Sequence, residues 1–204
     1  MVLSKTDIAS GLRQALDFGI NKQVSKLTAK DGFFKNELVK ILLPDELKKV
    51  DKTLRKFGLG DLADKGIEYL NRAAEDAVGV AIPIFTDAIT GMTFTDAKNI
   101  LAGSEDAATS YLQKATSKQL YDKFNPIIKQ SFQKVGADKI WETIMTKYNA
   151  LPMTKDINPN LTDYVTTEAL SGVYKMVAVE EKEIRAKVSE RSTDLLKKVF
   201  AIQD

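Results

Sequence analysis

The stretch of residues 71–92 constrains the fold more than any other part of the chain. On a helix advancing 100° per residue, its polar side chains form one narrow stripe, and apolar side chains fill about two-thirds of the circumference. Such a helix must be wrapped by other helices, because a helix at a protein surface shows a narrower apolar stripe. The sequence therefore predicts an all-α fold around a central helix of residues 62–92. Pro83 removes a backbone hydrogen bond in its middle and is expected to kink it.

The composition is that of an ordinary globular protein. The chain has 204 residues, of which 44% are hydrophobic and 28% charged, enough to bury a substantial core. We predict one domain over residues 1–204, a multi-helix bundle of about eight or nine helices. Thirty Lys and Arg against 28 Asp and Glu leave a net charge of +2. So small an excess does not indicate a nucleic acid as partner.

The absence of cysteine and histidine excludes several kinds of chemistry. Thiolate nucleophiles, Ser–His–Asp triads and cysteine or histidine metal sites cannot form. We therefore predict no catalytic residue, metal or cofactor from motifs. The start MVLSKTD lacks the features of a signal peptide. The longest stretch without a charge, residues 77–86, is far shorter than the ~20 residues of a transmembrane helix, so the chain is expected to be soluble.

Capping signals divide the rest of the chain into helices. Ser4 and Asp7 form a capping box for a helix that is expected to end near Thr28. Phe33 is expected to enter the core, and residues 38–43 are interpreted as an extended connector. Further helix starts are predicted at Pro44, Thr95-Asp96, Ser104, Thr116, Asp138, Asn160 and Ser192.

The apolar faces of these helices are predicted to point inward. Core packing is the default interpretation of their aromatic and Met residues, and an apolar cavity for a lipid or other hydrophobic ligand is the alternative. Residues 180–185 (EEKEIR) are interpreted as a charge-paired face in solvent. Residues 149–160 are a candidate hinge or lid, or a plain loop. The inward set includes Phe57, Phe85, Phe124, Phe132, Ile140, Trp141, Met145, Tyr148 and Met176.

Three neighbouring residues of the central helix, Asn71, Arg72 and Glu75, form the best polar constellation. If another helix covers them, Arg72 and Glu75 become a buried ion pair. If they stay open, they form a surface pair that contributes little to stability. The third interpretation is a ligand site, in which the planar guanidinium of Arg72 holds a carboxylate or phosphate.

Several segments resemble a bacterial family that is catalogued only as a domain of unknown function. The segments are residues 54–62, 71–89, 92–111, 116–136 and 191–200. Members of that family typically carry an N-terminal signal or lipoprotein peptide ahead of a start like Leu3-Ser4. The resemblance implies an exported protein of the periplasm or cell envelope, and it allows a lipid anchor in the full-length precursor. It transfers no catalytic residue.

Two functional hypotheses follow. The leading one is a non-enzymatic, exported binding or structural module that engages a partner protein or an apolar small molecule. The other is a carboxylate-dependent hydrolase acting on cell-envelope material, with a pair such as Glu75 and Asp96 as acid and base. An enzyme should show acids with raised pKa values in a polar cleft, and a binding protein should show an apolar cavity or exposed apolar residues.

Overall fold

The computed structural model describes residues 4–58, 60–149, 160–187, 190–191 and 193–201. Within these ranges the chain forms nine α-helices, one 3₁₀ helix (Asp45–Leu47) and no strand, which confirms the all-α prediction. Most of the candidate hinge, residues 150–159, and the predicted cap Ser192 lie outside the described residues. The α-helices are α1 (Lys5–Thr28), α2 (Lys48–Lys56), α3 (Gly60–Val78), α4 (Ala81–Thr90), α5 (Phe94–Leu101), α6 (Ala107–Val135), α7 (Ala137–Asn149), α8 (Leu161–Ala186) and α9 (Asp194–Phe200).

The chain divides into two compact units. Unit 1 consists of Met1–Lys26, Val80–Leu120 and Val173–Asp204, and unit 2 of Leu27–Gly79 and Tyr121–Gly172. Each unit combines segments that are far apart in the sequence, so neither can be excised as one continuous piece. The single domain over residues 1–204 stays a prediction.

The structure corrects the predicted central helix, because residues 62–92 form two helices rather than one kinked helix. Helix α3 ends at Val78, and α4 begins at Ala81. Pro83 has no N–H to donate to the Gly79 carbonyl, and its ring would crowd that carbonyl in a continuous helix. In the structure Pro83 is the third residue of α4, where a backbone N–H has no partner within the helix in any case. The interruption at residues 79–80 therefore removes the conflict.

Helix α6 is continuous where two helices were predicted. Thr116, interpreted as the cap of a second helix, lies buried in its interior. The Thr116 hydroxyl donates to the Leu112 carbonyl at 2.6 Å and shares a 2.7 Å hydrogen bond with the Tyr174 hydroxyl. A threonine hydroxyl can bond to a carbonyl one turn earlier inside a helix, so a cap-like residue does not by itself mark a helix start.

The predicted N-terminal cap of α1 is confirmed, but the cap of α5 lies earlier in the chain than predicted. Asp7 accepts the Ser4 N–H at 3.0 Å, and the Asp7 N–H donates to the Ser4 hydroxyl at 3.1 Å. At α5 the cap is Thr93 instead of Thr95, and its hydroxyl accepts the Asp96 N–H at 3.1 Å. A capping box needs an acidic residue three positions after the cap, which Asp96 provides for Thr93.

Three residues predicted to face inward are exposed. Phe57 is 74% exposed, Ile140 is 62% exposed, and Val135, the last residue of α6, is 46% exposed. Phe57 follows the last residue of α2 and precedes Gly58, whose φ of 75° takes the chain out of the helical path. Ile140 and Trp141 are neighbours on α7, 100° apart around the axis, and Trp141 takes the inward position.

Most of the other aromatic and Met residues predicted for the core are buried, namely Phe85, Phe124, Phe132 and Met176. The side chains of Met145 and Tyr148 lie outside the described part of the structure.

The segment between α1 and the 3₁₀ helix, residues 29–44, is hereafter called the connector. It consists of turns and irregular chain without a strand, in line with the connector predicted for residues 38–43. Phe33 is fully buried, as predicted. Its ring lies against Gly172 of α8, where a Cβ atom would come within 2.8 Å of Phe33 Cε1. The missing side chain of Gly172 therefore makes room for the Phe33 ring.

We predict opposite effects for alanine at two helical glycines of unit 2. A Cβ at Gly66 of α3 meets no atom within 4 Å. Gly66→Ala should therefore raise the free energy of unfolding by about 0.5–1 kcal/mol, because alanine restricts the unfolded chain. Gly172→Ala should lower it by about 1–2 kcal/mol, because crowding of Phe33 outweighs that gain. Urea denaturation measures both, and equal stabilisation by the two substitutions would contradict the packing of Phe33 on Gly172.

Candidate functional site

Asn71 of α3 is fully buried and binds the connector. Its Oδ1 accepts the Ile41 N–H at 2.8 Å, and its Nδ2 donates to the Ile41 carbonyl at 2.9 Å. Nδ2 also donates to the Ile67 carbonyl, one turn earlier in α3, at 2.8 Å. The amide thus uses its acceptor and both of its donor hydrogens. Asn71 satisfies both backbone polar groups of Ile41, as a neighbouring strand would do in a sheet.

Glu75, one turn later in α3, is buried and also binds the connector. Its Oε1 accepts the N–H groups of Phe33 at 3.0 Å and Phe34 at 3.2 Å. Its Oε2 accepts from Arg72 Nη1 at 2.7 Å. A buried carboxylate is costly unless it is paired and hydrogen-bonded, and here two backbone donors and one guanidinium meet that need.

Arg72 completes this arrangement at the edge of unit 2. Its side chain is 25% exposed, and Nη2 pairs with Asp31 Oδ1 at 2.6 Å and with Glu68 Oε1 at 3.1 Å. Its guanidinium carbon lies 5.4 Å from the centre of the Phe34 ring. The guanidinium therefore links α3 to the connector through charge and through the aromatic face.

The three predicted site residues, Asn71, Arg72 and Glu75, are thus brought together, and we call them the α3 polar cluster. Of the three interpretations, the geometry favours the buried pair, although the connector covers it instead of a helix. The polar groups of the cluster bind the protein's own backbone and side chains. Ligand binding by these residues stays a prediction.

Unit 1 contains a second buried carboxylate that is held in the same way. Glu181 of α8 accepts the N–H groups of Ala108 at 2.9 Å and Thr109 at 2.8 Å, together with the Thr109 hydroxyl at 2.8 Å. Arg185, one turn later in α8, donates to Glu181 Oε1 from Nε at 3.1 Å and from Nη2 at 2.8 Å. Ala108 and Thr109 lie in the first turn of α6, so the carboxylate occupies the positive end of that helix.

The neighbouring Glu180 is buried as well. Its carboxylate accepts from Gln23 Nε2 and, at 2.8 Å, from Lys22 Nζ of α1. The interpretation of residues 180–185 as a face in solvent is therefore wrong for Glu180 and Glu181.

A signal in the sequence could have located these two acids. Val177 and Ile184 are apolar residues of α8, and both are buried. Glu181 is four residues after Val177, and Glu180 is four residues before Ile184, so all four residues share one side of α8. The spacing thus predicts burial, whereas the charges alone suggest exposure.

A groove in unit 1 was not foreseen from the sequence. It has a volume of about 230 Å³ and lies between the first turns of α1 and the start of α5. Spacing along α1 places two of its basic residues on one side, but the sequence does not indicate that α5 lies beside them. We call it the α1–α5 groove; its residues are Lys5, Thr6, Ala9, Ser10, Arg13 and Phe94.

Two cations line the α1–α5 groove. Arg13 Nη2 donates to the Met92 carbonyl, and Arg13 Nε is buried without a hydrogen-bond partner among the described residues. Lys5 Nζ lies 5.6 Å from the centre of the Phe94 ring. In the described part of the chain neither cation forms an ion pair with a carboxylate. The groove is therefore electropositive and has one aromatic wall.

A second cavity in unit 1 is far smaller. It has a volume of about 10 Å³ and is lined mainly by apolar residues such as Leu12, Leu16 and Phe200. A cavity of this size holds about one water molecule at most. It does not accommodate a lipid or another apolar ligand.

The comparisons with known proteins identify the family. A family model described as "Protein of unknown function (DUF4197)" matches residues 2–201. The chain belongs to the DUF4197 family. No curated protein and no solved structure shows a significant match to this DUF4197 chain. The match confirms the resemblance to a family of unknown function, and its description assigns no activity.

Two further features of this DUF4197 protein concern metals and membranes. Among the described residues, no group of three or more acidic side chains could hold a metal ion. None of the described helices is both long enough and apolar enough to cross a membrane.

We predict that Asn71→Ala destabilises the protein by about 1–3 kcal/mol, because it leaves the Ile41 N–H and carbonyl buried without partners. Urea denaturation measures the loss, and amide hydrogen exchange should show faster exchange at Ile41. Asn99→Ala is the matched control, since Asn99 is an exposed helical asparagine. A stability equal to that of the wild type, with unchanged exchange at Ile41, would contradict the role of Asn71.

Arg72→Ala tests the ion pair in the same assay. We expect a loss of about 1–3 kcal/mol, below the ~3–5 kcal/mol of a fully buried pair, because Arg72 is partly exposed. Lys65→Ala, at an exposed position of the same helix, should have little effect. Equal melting temperatures for Arg72→Ala and the wild type would rule out the buried-pair interpretation.

Proposed function

We propose that this protein is a non-enzymatic, exported binding module that engages a partner protein through the connector of unit 2. The export part of the proposal rests on the family resemblance, since members typically carry a signal or lipoprotein peptide. The mature protein would then reside in the periplasm or cell envelope, with a lipid anchor where the leader is of the lipoprotein type. The binding part rests on the exposed leucines of the connector.

The hydrolase alternative has little support from its two carboxylates. Both oxygens of Glu75 accept hydrogen bonds from the protein itself. Asp96 accepts the hydroxyl and the N–H of Thr93, and these bonds lower the pKa of its carboxyl below the ordinary value of 3.8. A general acid that works near neutral pH needs a raised pKa. Asp96 therefore has the wrong protonation state for that role.

The observation that carries the binding proposal is a pair of exposed leucines on a fixed backbone. Leu38 is 58% exposed and Leu42 is 55% exposed, while Val39 and Ile41 between them are buried. Asn71 holds both backbone groups of Ile41. Single exposed leucines are common on protein surfaces, but these two lie four residues apart on one connector.

Further bonds hold the connector on both sides of this pair. The Tyr164 hydroxyl of α8 donates to the Leu42 carbonyl at 2.7 Å, and the Leu38 N–H donates to Asn36 Oδ1 at 3.2 Å. Apolar side chains on a preordered backbone lose little conformational entropy when they bind a partner. The ammonium of Lys40, between the two leucines, lies 4.8 Å from the centre of the Phe34 ring, so the surface also carries a positive charge. A partner segment with apolar and acidic residues therefore fits this surface.

An apolar small molecule is less well supported than a partner protein. The small apolar cavity of unit 1 has a volume of about 10 Å³, which is too small for a lipid. The exposed leucines form an open surface, and open apolar surfaces are typical of protein interfaces.

Site-specific photo-crosslinking in the native host tests the partner. A photoreactive residue at position 38 or 42 should give one discrete adduct, and the same probe at the exposed Lys65 of unit 2 should not give it. The adduct partner, once purified, should bind the wild type at least tenfold more tightly than a Leu38→Ser/Leu42→Ser variant. Absence of an adduct, or equal binding by the variant with retained stability, would reject the proposed surface.

Fractionation of the full-length gene product tests export. We expect a processed form in the periplasmic or envelope fraction, because the leader of an exported protein is removed. Labelling with radioactive palmitate distinguishes a lipid-anchored form from a released one. An unprocessed product that fractionates with cytosolic proteins would contradict export and leave the crosslinking result unaffected.

A further inference from the structure

We propose that the α1–α5 groove of unit 1 binds a small organic anion, with the acid group against Arg13 and the hydrocarbon part against Phe94. The acid group is a carboxylate or a phosphate, which share the same recognition chemistry. This inference is independent of the connector surface, because its residues and its test concern unit 1 alone.

The first argument is the unpaired charge. Some cations of unit 1 have carboxylate partners, as Lys22 has Glu180, Lys182 has Glu105 and Arg185 has Glu181. Lys5 and Arg13 have no such partner among the described residues, and both of them line one groove. Two like charges facing one cleft raise the local concentration of anions.

Three acids close in sequence to the groove residues are hydrogen-bonded to other groups. The Asp7 carboxylate accepts from the N–H and the hydroxyl of Ser4, at 3.0 and 2.7 Å. The Asp96 carboxylate accepts from the N–H and the hydroxyl of Thr93, at 2.9 and 2.7 Å. Asp17, four residues after Arg13 in α1, accepts from the Thr86 hydroxyl at 3.4 Å. Among the described residues, none of the three forms an ion pair with Lys5 or Arg13.

The second argument is that the Arg13 guanidinium is only partly hydrogen-bonded among the described residues. Its bond to the Met92 carbonyl uses Nη2 and fixes the guanidinium beside α5. The buried Nε–H has no acceptor in the described part of the chain. A buried donor without a partner is costly, and an anion close to the guanidinium would offset part of that cost through its charge. Nη1 and the second hydrogen of Nη2 remain to donate to the oxygens of a carboxylate or phosphate.

The third argument is the shape of the groove. A volume of about 230 Å³ is slightly below the ~300 Å³ of the smallest typical drug-sized pockets, which suits a smaller molecule. Ala9, with its short side chain, and the hydroxyl-bearing Thr6 and Ser10 also line the groove. The Phe94 ring supplies an apolar wall. An acid joined to a short hydrocarbon or aromatic group therefore matches both the charge and the surface.

Titration of the ¹⁵N-labelled protein with phenyl phosphate, followed by NMR, tests the site. We expect saturable shifts of the amides of Ser10, Arg13 and Phe94, and none with benzyl alcohol, which lacks the acid. Arg13→Gln should weaken binding at least tenfold. Phe94→Leu should weaken binding of phenyl phosphate but leave binding of inorganic phosphate unchanged. Lys182→Gln, at an exposed surface pair of the same unit, is the control and should bind like the wild type.

Lys5→Gln provides a second test, because the Lys5 side chain forms no hydrogen bond or ion pair within the described part of the chain. It should weaken binding even if Arg13→Gln disturbs the loop at Met92. Benzoate in place of phenyl phosphate shows whether a carboxylate or a phosphate is preferred. The site is rejected if wild-type shifts do not saturate below about 10 mM, the range of very weak affinity. Equal binding of benzyl alcohol, or unchanged binding by both basic-residue variants, would also overturn it.

Discussion

The burial of single carboxylates against backbone N–H groups is the interaction on which each unit depends. A carboxylate taken out of water must recover its lost hydration from donors in the protein. Glu75 does so with two connector N–H groups and Arg72, and Glu181 with two N–H groups of α6 and Arg185. In both cases one buried carboxylate on a helix holds the backbone of another segment, which is the connector for Glu75 and the first turn of α6 for Glu181.

In unit 2 this interaction has consequences along the whole connector. Glu75 holds the N–H of Phe33, whose ring fills the space left by the missing side chain of Gly172. Further along the connector, the N–H and the carbonyl of Ile41 are hydrogen-bonded to Asn71. With the buried residues fixed, Leu38 and Leu42 are left pointing outward. The same polar residues that could have formed a ligand site thus shape an apolar surface.

Particular residues show how far sequence reasoning reaches. The capping box of Ser4 and the all-α class follow from local chemistry, and both are confirmed. The prediction of one kinked helix through Gly79 is wrong, because the chain relieves the conflict with Pro83 by ending one helix instead of bending it. The prediction that Glu180 and Glu181 face solvent is wrong, because their helical spacing places them on the buried side of α8.

The sequence by itself determined the all-α class, most of the buried apolar side chains and the absence of cysteine and histidine chemistry. These depend on periodicity and residue type, which are local properties. Only the tertiary structure decided which polar residues were internal and which were left for a partner. That choice depends on contacts between distant segments, as when the N–H groups of α6 meet Glu181 or α5 approaches Arg13. The sequence alone does not show whether a charged side chain lies in water, at the terminus of another helix or in a groove.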